Sequence, residues 1–294
     1  MKICTTIDEM RSASRAVRRA GPRLGFVPTM GALHEGHISL VRAARAVCDV
    51  VAASIFVNPT QFGPHEDLGK YPRTFERDRD WLQREGVELV FVPSVEEMYP
   101  ERADKTVRAI TWVEAEGLSG KLDGKSRPGH FRGVTTVVSK LFHIVEPDAA
   151  FFGQKDAAQV ANIRKMVRDL NFTVEIVVCP IVREADGLAM SSRNAYLSPQ
   201  ERRQALALRR SLSSVEKLVE VGEREAAKLR AAGCDEIARE NGIRLDYFEI
   251  VNADSLDPVE KVLGGTLVAV AAFVGATRLI DNLLIRKIPK PCPD

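Results

Sequence analysis

Aromatic side chains make up only 6% of these 294 residues, and the five cysteines (Cys4, Cys48, Cys179, Cys234 and Cys292) are odd in number and widely spaced. With no Cys-x-x-Cys pair, neither a disulfide framework nor a zinc ribbon is suggested, and a reducing, cytoplasmic setting fits. Long hydrophobic runs are missing too. The longest, Leu267 to Val274, falls far short of the roughly 20 apolar residues that span a bilayer. Met1 to Met10 carries Asp8 and Glu9 and no apolar core segment, so it does not read as a secretion signal. Charge of one sign is also lacking: 42 Lys and Arg face 40 Asp and Glu, a net of +2. Nucleic acid or an anionic membrane would call for a basic block. Neither partner is expected, and the protein is expected to be soluble.

What the chain does have is alternation. Leu24 to Val27, Val50 to Val57, Glu88 to Val92, Ala149 to Phe152 and Thr173 to Val178 read as buried strands. Between them lie amphipathic stretches: Glu35 to Val47, Thr74 to Glu85 ending at Gly86, Val134 to Val145 ending before Pro147, and Ala157 to Asp169. Strands and helices at this spacing imply an α/β fold, a Rossmann-like parallel sheet with helices on both faces. From Glu201 the character changes to charged helices, with strands only at Arg244 to Val251 and Thr266 to Val274. Residues 1–182 are therefore expected to form a nucleotide- and substrate-binding domain. Residues 183–294 are expected to form a smaller α+β lid.

The stretch from Phe26 to Leu40 organises the rest. An apolar strand ends in Pro28-Thr29, Met30 and Gly31 make a turn, and a helix begins with His34, Gly36 and His37. Unpaired N–H groups at a helix's positive end suit a phosphate. His34 and His37 are three apart and share a face, while Gly36 between them would let a base or ribose approach the backbone. Zinc ligation is a weaker reading because no third or fourth ligand lies near. A plain polar helix start remains open. Gly31-x4-Gly36 imitates a P-loop, but His37 and Ile38 stand where that motif needs Lys and Ser or Thr.

Ligands of such sheets bind beyond the carboxyl ends of the strands, and the unusual residues gather in those loops. After Val57, Asn58 either caps its turn or offers polar contacts, whereas Gln61 has no local structural duty. After Phe152 comes Gly153-Gln154-Lys155-Asp156. Lys155 would face a phosphate there or simply be solvated. Gln159 lies one helical turn further on the same face. Met190-Ser191-Ser192-Arg193-Asn194 puts two hydroxyls beside an arginine, either an anion clamp or a capping segment. Ser198-Pro199-Gln200-Glu201 already caps the next helix.

Pro28 to His37, with its His-x-Gly-His core, resembles the nucleotidylyltransferase superfamily in the form of its pantoate–β-alanine ligases. Asn58 to Phe62, Tyr71 to Thr74, Arg127 to Arg132, Phe152 to Asp156, Arg183 to Gly187 and Met190 to Asn194 resemble that family in the same order, and Asp246 to Asp281 more weakly. The resemblance implies an ATP-dependent, AMP-forming ligase that joins pantoate to β-alanine through a pantoyl adenylate. It implies ATP binding by Met30, Gly31, Ala32, Leu33, His34, Glu35, Gly36, His37, Gly153, Gln154, Lys155, Asp156, Val182, Met190, Ser191, Ser192 and Arg193. Gln61 and Gln159 would hold pantoate, with Gln61 also near β-alanine. His34, His37 and Lys155 would be catalytic, with His37 the proton donor. Mg²⁺ on the phosphates, with protein ligands unassigned, and a homodimer are also implied. Gln154 stands where many relatives carry Glu, and Ala157-Ala158 where bulkier residues are usual. The Pro64 to Thr74 loop is expected to close over the intermediate.

Two rivals remain. A nucleotidyltransferase of the same superfamily would keep the nucleotide in its product, which the Met-Ser-Ser-Arg-Asn form and the paired glutamines speak against. A non-catalytic nucleotide-binding regulator is opposed by intact His34, His37 and Lys155.

Overall fold

The computed structural model of the chain describes residues 1–63, 68–69, 71–100 and 111–287. Much of the loop expected to close over the intermediate, Pro64 to Asp67 and Lys70, lies outside those residues, as does Cys292. The chain divides into two compact units: Met1–Gly120, Arg127–Gly153 and Asn162–Pro180 form one, and Lys121–Ser126, Gln154–Ala161 and Ile181–Asp294 form the other.

The first unit is a six-stranded parallel sheet flanked by helices. Its strands are β1 (Lys2–Cys4), β2 (Leu24–Thr29), β3 (Val50–Ile55), β4 (Leu89–Phe91), β5 (Ala149–Gly153) and β6 (Glu175–Cys179), in the order β1-β4-β3-β2-β5-β6. Central β2 pairs on both sides, Phe26 with Ala52 and with Ala150. Both faces of β2 are covered, which is why it reads as an apolar run rather than an alternation. Helix α2 (Glu35–Val47) buries Ile38, Leu40, Val41 and Ala44, and its Ile38 and Val41 share a core with Val27, Val51, Val90 and Phe151. Helices α3 (Phe75–Arg84), α4 (His130–Val145) and α5 (Ala157–Asp169) complete the expected set.

The first strand and the first helix were among the elements not expected. β1 is three residues long, and α1 (Ile7–Ala20) buries only Met10, Ala13 and Ser14, too few apolar residues for a visible period. Its capping box of Thr6 and Glu9 was nonetheless written in the sequence. Helix α4 also begins four residues before the expected Val134. Gly129 at its N-cap is left-handed (φ 80°) and no side chain caps it, so the usual start signal is missing.

From β2 the chain crosses through α2 to β3 on one side, and from β5 through α5 to β6 on the other. The connections part between β2 and β5, which makes the carboxyl ends of those two strands the expected crevice for a ligand.

In the second unit, α6 (Pro199–Glu220) and α7 (Ala226–Ala238) pack with an antiparallel sheet of β7 (Ile243–Asn252), β8 (Thr266–Val274) and β9 (Thr277–Ile285), in that order. Its core includes Leu208, Leu212, Leu229, Phe248, Val268 and Val270. Two strands were expected and three are present. The third was hidden because β9 carries Arg278, Asp281 and Asn282 where an apolar alternation would have marked a strand.

Candidate active site

Met30 to His37 form a turn that supports itself. Thr29 closes β2 with its hydroxyl donating to the Ser54 carbonyl at 2.6 Å and accepting from the Gly31 N–H at 3.2 Å. Gly31 and Ala32 are both left-handed, at φ 82° and 50°, the first natural for glycine and the second a strained state that needs an outside hold. Asp78 of α3 supplies it. Its carboxylate, 0% exposed, accepts the N–H groups of Ala32 at 2.7 Å and Leu33 at 3.0 Å, and the Thr74 hydroxyl donates to it at 3.0 Å. The backbone donors of Ala32 and Leu33 therefore point inward at a carboxylate.

The helix start also departs from expectation. Its N–H groups are not left waiting for phosphate: Gly36 N–H donates to His34 Nδ1 at 3.1 Å, and His37 and Ile38 donate to the His34 carbonyl. The His34 N–H in turn donates to His37 Nδ1 at 3.3 Å, giving a capping box built of two histidines. A backbone N–H can only donate, so each Nδ1 is an acceptor and each neutral ring carries its proton on Nε2. The rings lie with centroids 4.1 Å apart, and the amides of Gly36, His37 and Ile38 are already used within the cap. A Cβ on Gly36 would stand 2.9 Å from the His34 ring, so this glycine makes room for the cap itself. Glu35 pairs with Arg42 on the helix surface.

Gln61 sits in a 3-10 turn, Pro59–Gln61, after β3. Asn58, 1% exposed, governs it. The Asn58 Oδ1 accepts from the Thr60 N–H at 3.3 Å and its Nδ2 donates to the Gly133 carbonyl at 3.1 Å. Those main-chain partners have fixed roles, so the amide has only one orientation. Its Nδ2 also donates to Gln61 Oε1 at 2.9 Å, which leaves the Gln61 NH₂ as the end a ligand would meet. The Tyr99 hydroxyl donates to Asn58 Oδ1 at 3.1 Å. Helix α4 closes on this turn because residue 133 is glycine: a Cβ there would fall 2.3 Å from the Thr60 carbonyl. His130 Nδ1 donates to the Gln61 carbonyl at 2.8 Å, and Arg127 stands 3.0 Å from His130 Nε2.

The remaining predicted residues, Gly153 apart, belong to the second unit. Gly153 ends β5 opposite Cys179 of β6. The chain then makes a 3-10 turn, Gln154–Asp156, before α5, so Lys155 follows β5 by two residues and Gln159, half-buried, lies in the first turn of α5. Lys155 Nζ is 3.6 Å from Asp156 Oδ1. Val182 and Met190 are brought together: the Met190 N–H donates to the Val182 carbonyl at 3.0 Å, and Arg183 bridges Ala189 as in a tight hairpin. Ser191 is not idle, because its hydroxyl oxygen accepts the Arg193 N–H at 3.3 Å and caps the 3-10 turn Ser192–Tyr196. Its own proton is still available to a ligand. Asn194 ties this turn back by donating to Glu184 at 2.6 Å and to the Ala189 carbonyl at 3.1 Å.

Among the described residues no three His, Cys, Asp or Glu side chains gather where they could hold a metal ion. Asp78, the buried acid nearest the turn in hydrogen-bonding terms, is already committed to backbone donors. The described residues thus present no cage of their own for Mg²⁺. Sequence reasoning missed Asp78 and Arg127 with His130; for Asn58 it offered the turn cap as one of two readings, and that cap is present. Thr74 four residues before Asp78 was the one local signal, since that spacing places both on one helical face.

The family model described as pantoate-beta-alanine ligase matches residues 2–284. Pantothenate synthetase of Acidobacterium capsulatum is 62% identical, over 98% of this chain and 98% of its own, and that of Koribacter versatilis is 59% identical, over 97% and 96%. Among solved structures, pantothenate synthetase from Thermus thermophilus superposes with a TM-score of 0.89 at 45% identity, covering 97% of this chain and 100% of that one. Pantoate-beta-alanine ligase from Francisella tularensis, solved with beta-gamma ATP and beta-alanine, gives 0.74 at 33% identity, covering 97% of both chains.

Proposed function

Because the chain belongs to the pantoate–β-alanine ligase family, we infer that His34, His37 and Lys155 carry the adenylation half of that family's reaction in this chain. The enzyme is an AMP-forming carbon–nitrogen ligase. It condenses (R)-pantoate with β-alanine through pantoyl adenylate, releasing pyrophosphate and then AMP. The observation that carries the assignment is the self-capped histidine pair, whose Nε2–H groups sit at the positive end of α2, beyond the carboxyl end of β2.

The chemistry asks for neutralised charge more than for a base. Pantoate's carboxylate, with a pKa near ~4, is already ionised at neutral pH and attacks the α-phosphorus directly. Negative charge then grows on the departing pyrophosphate, where fixed donors lower the barrier. The His34 and His37 Nε2–H groups, Lys155, and Ser191, Ser192 and Arg193 are such donors in this reading, with His37 donating a hydrogen bond to the departing pyrophosphate through the Nε2–H that it keeps. Leu33, Glu35, Gly36, Gly153, Gln154, Asp156, Val182 and Met190 shape the nucleotide's surroundings with Met30, Gly31 and Ala32. Gln61, holding out its NH₂, and Gln159 take pantoate. The β-alanine amine next attacks the acyl carbon near Gln61, the C–N bond forms as the acyl C–O bond to phosphate breaks, and the amine's surplus proton passes to the departing AMP phosphate.

Mg²⁺ would accompany ATP in this proposal and would neutralise phosphate charge, with no protein ligand for it assigned among the described residues. Resemblance alone supports a homodimer, whereas the change to charged helices from Glu201 supports a division near residue 183. Cys4, Cys48, Cys179 and Cys234 are free, and burial pushes each thiol up from its ordinary pKa. Such inert thiols suit the cytoplasm.

The deciding test is exchange of labelled pyrophosphate into ATP. With pantoate present and β-alanine absent, exchange should proceed, and His37→Ala should suppress it. Exchange that requires β-alanine, or that runs without pantoate, would overturn the order of steps. A fully active His37→Ala would overturn the assignment.

A further inference from the structure

Among the described residues strand β9 is an edge strand paired with β8 alone, where Asp281 faces Val270 and Asn282 faces Ala269. Consecutive strand residues point to opposite sides, yet Asp281 and Asn282 are both 4% exposed. Burying two adjacent polar side chains is costly unless every polar atom is used, and for stability alone apolar residues would serve at least as well. Here every polar atom is used, and each side chain reaches a segment of the candidate ATP site.

Asn282 faces the turn that carries Lys155. Its Nδ2 donates to the Gln154 carbonyl at 3.0 Å and to the Lys155 carbonyl at 2.9 Å, while its Oδ1 accepts from Gln154 Nε2 at 3.0 Å. Asp281 faces the Val182–Met190 hairpin. It receives Arg183 in a bidentate pair, at 2.7 and 3.0 Å, and Arg183 also donates to the Gly187 carbonyl across the hairpin at 3.2 Å. One Asp281 oxygen further accepts the Asn282 N–H at 2.8 Å, so the two anchors are themselves tied. We propose that Asp281 and Asn282 are positioning residues for adenylation: neighbours on one strand that hold the Lys155 turn and the Val182–Met190 hairpin in a fixed relation.

A lysine acting as a point charge gains from being held, because a displacement of about 1 Å in a charged group can cost on the order of 10²-fold in rate. The inference rests on the reading of Lys155 as a phosphate donor, and a double-mutant cycle separates the two. Pyrophosphate–ATP exchange is measured for the full chain, Asn282→Ala, Lys155→Ala and the double variant, with aminolysis of supplied pantoyl adenylate by β-alanine and thermal melting followed alongside. Asn282→Ala should lower the exchange kcat by about 10- to 100-fold, with the KM for pantoate within about threefold and aminolysis far less affected. In the Lys155→Ala background the same substitution should cost less than about threefold, because the group it positions is already gone. Asn282→Asp keeps the size but turns an oxygen toward two carbonyl oxygens, and should behave like Asn282→Ala. It supplies the reading if the alanine variant does not fold. Asp281→Asn should raise the KM for ATP, and its effect should persist in the Lys155→Ala background. Full exchange activity in Asn282→Ala and Asn282→Asp, or a loss that multiplies undiminished onto Lys155→Ala, would overturn the positioning role. A fully active Lys155→Ala would instead overturn the reading of Lys155.

Discussion

The two turns that follow β2 and β5 are built on opposite plans. The first is closed from within: His34 and His37 cap their own helix, Thr29 receives Gly31, and the distant hold comes from Asp78. The second is closed from without, by Asn282, 127 positions beyond the lysine whose carbonyl it holds. The self-capped helix start is set as soon as its helix forms, and only Ala32 and Leu33 before it wait for Asp78. A turn held by a remote strand is rigid only when that strand is in place, so its geometry depends on the packing of the whole second unit.

The sharpest way to separate the plans is to remove the charge that the second turn presents. Lys155→Ala should lower the rate of pyrophosphate exchange by roughly 10² to 10³, the usual loss for one preorganised donor, with the melting temperature barely changed. An equally active variant would leave the second turn without a function. The first turn should respond in the other way. Asp78→Ala would strand the Ala32 and Leu33 N–H groups in the interior, and urea unfolding should show a loss of about 2–3 kcal/mol together with reduced exchange. If stability falls by less than a few tenths of a kcal/mol, the first turn does not need its outside hold.

Gly133→Ala probes the contact between α4 and the Gln61 turn. The added methyl has no room against the Thr60 carbonyl, and overpacking of this kind costs about 1–3 kcal/mol. The KM for pantoate should rise more than the exchange kcat falls, as initial-rate kinetics would show. An unchanged KM would mean that the turn does not set the pantoate site.

The smallest effect concerns acid. Burial pushes the Asp246 carboxyl up, but hydrogen bonds from the Ser126 hydroxyl and Arg278 outweigh it and hold the group below the usual Asp range. A pKa lowered by folding contributes stability above the unfolded value, near ~3.9, and loses it as the pH falls through the folded value. Asp246→Asn should therefore melt about 2–4 °C below the parent chain at neutral pH, with the gap closing below about pH 4. A gap that persists in acid would remove the ion pair with Arg278 as its cause.

The same contrast explains what could be read from the chain. Glu35–Val47 and Ala157–Asp169 were placed correctly because their apolar spacing is local, and the histidine pair was visible because its members are three apart. Asp78 and Asn282 were not visible, since a buried polar residue looks like a surface one until its distant partner is known. Strand β9 was missed for a related reason. The polar residues that anchor the site, Asp281 and Asn282, are the ones that interrupt its apolar pattern. Arg127 and His130 lay in a segment whose resemblance was recognised, but their target is the Gln61 carbonyl, a backbone atom that no side-chain motif announces.

The orientation of Asn58 has one consequence for how this enzyme can change over time. Its polarity is set by the Thr60 N–H and the Gly133 carbonyl, two main-chain groups, rather than by a neighbouring side chain. A side-chain substitution around Asn58 that leaves this backbone in place leaves its two orienting partners in place, so Gln61 keeps its Oε1 turned toward Asn58.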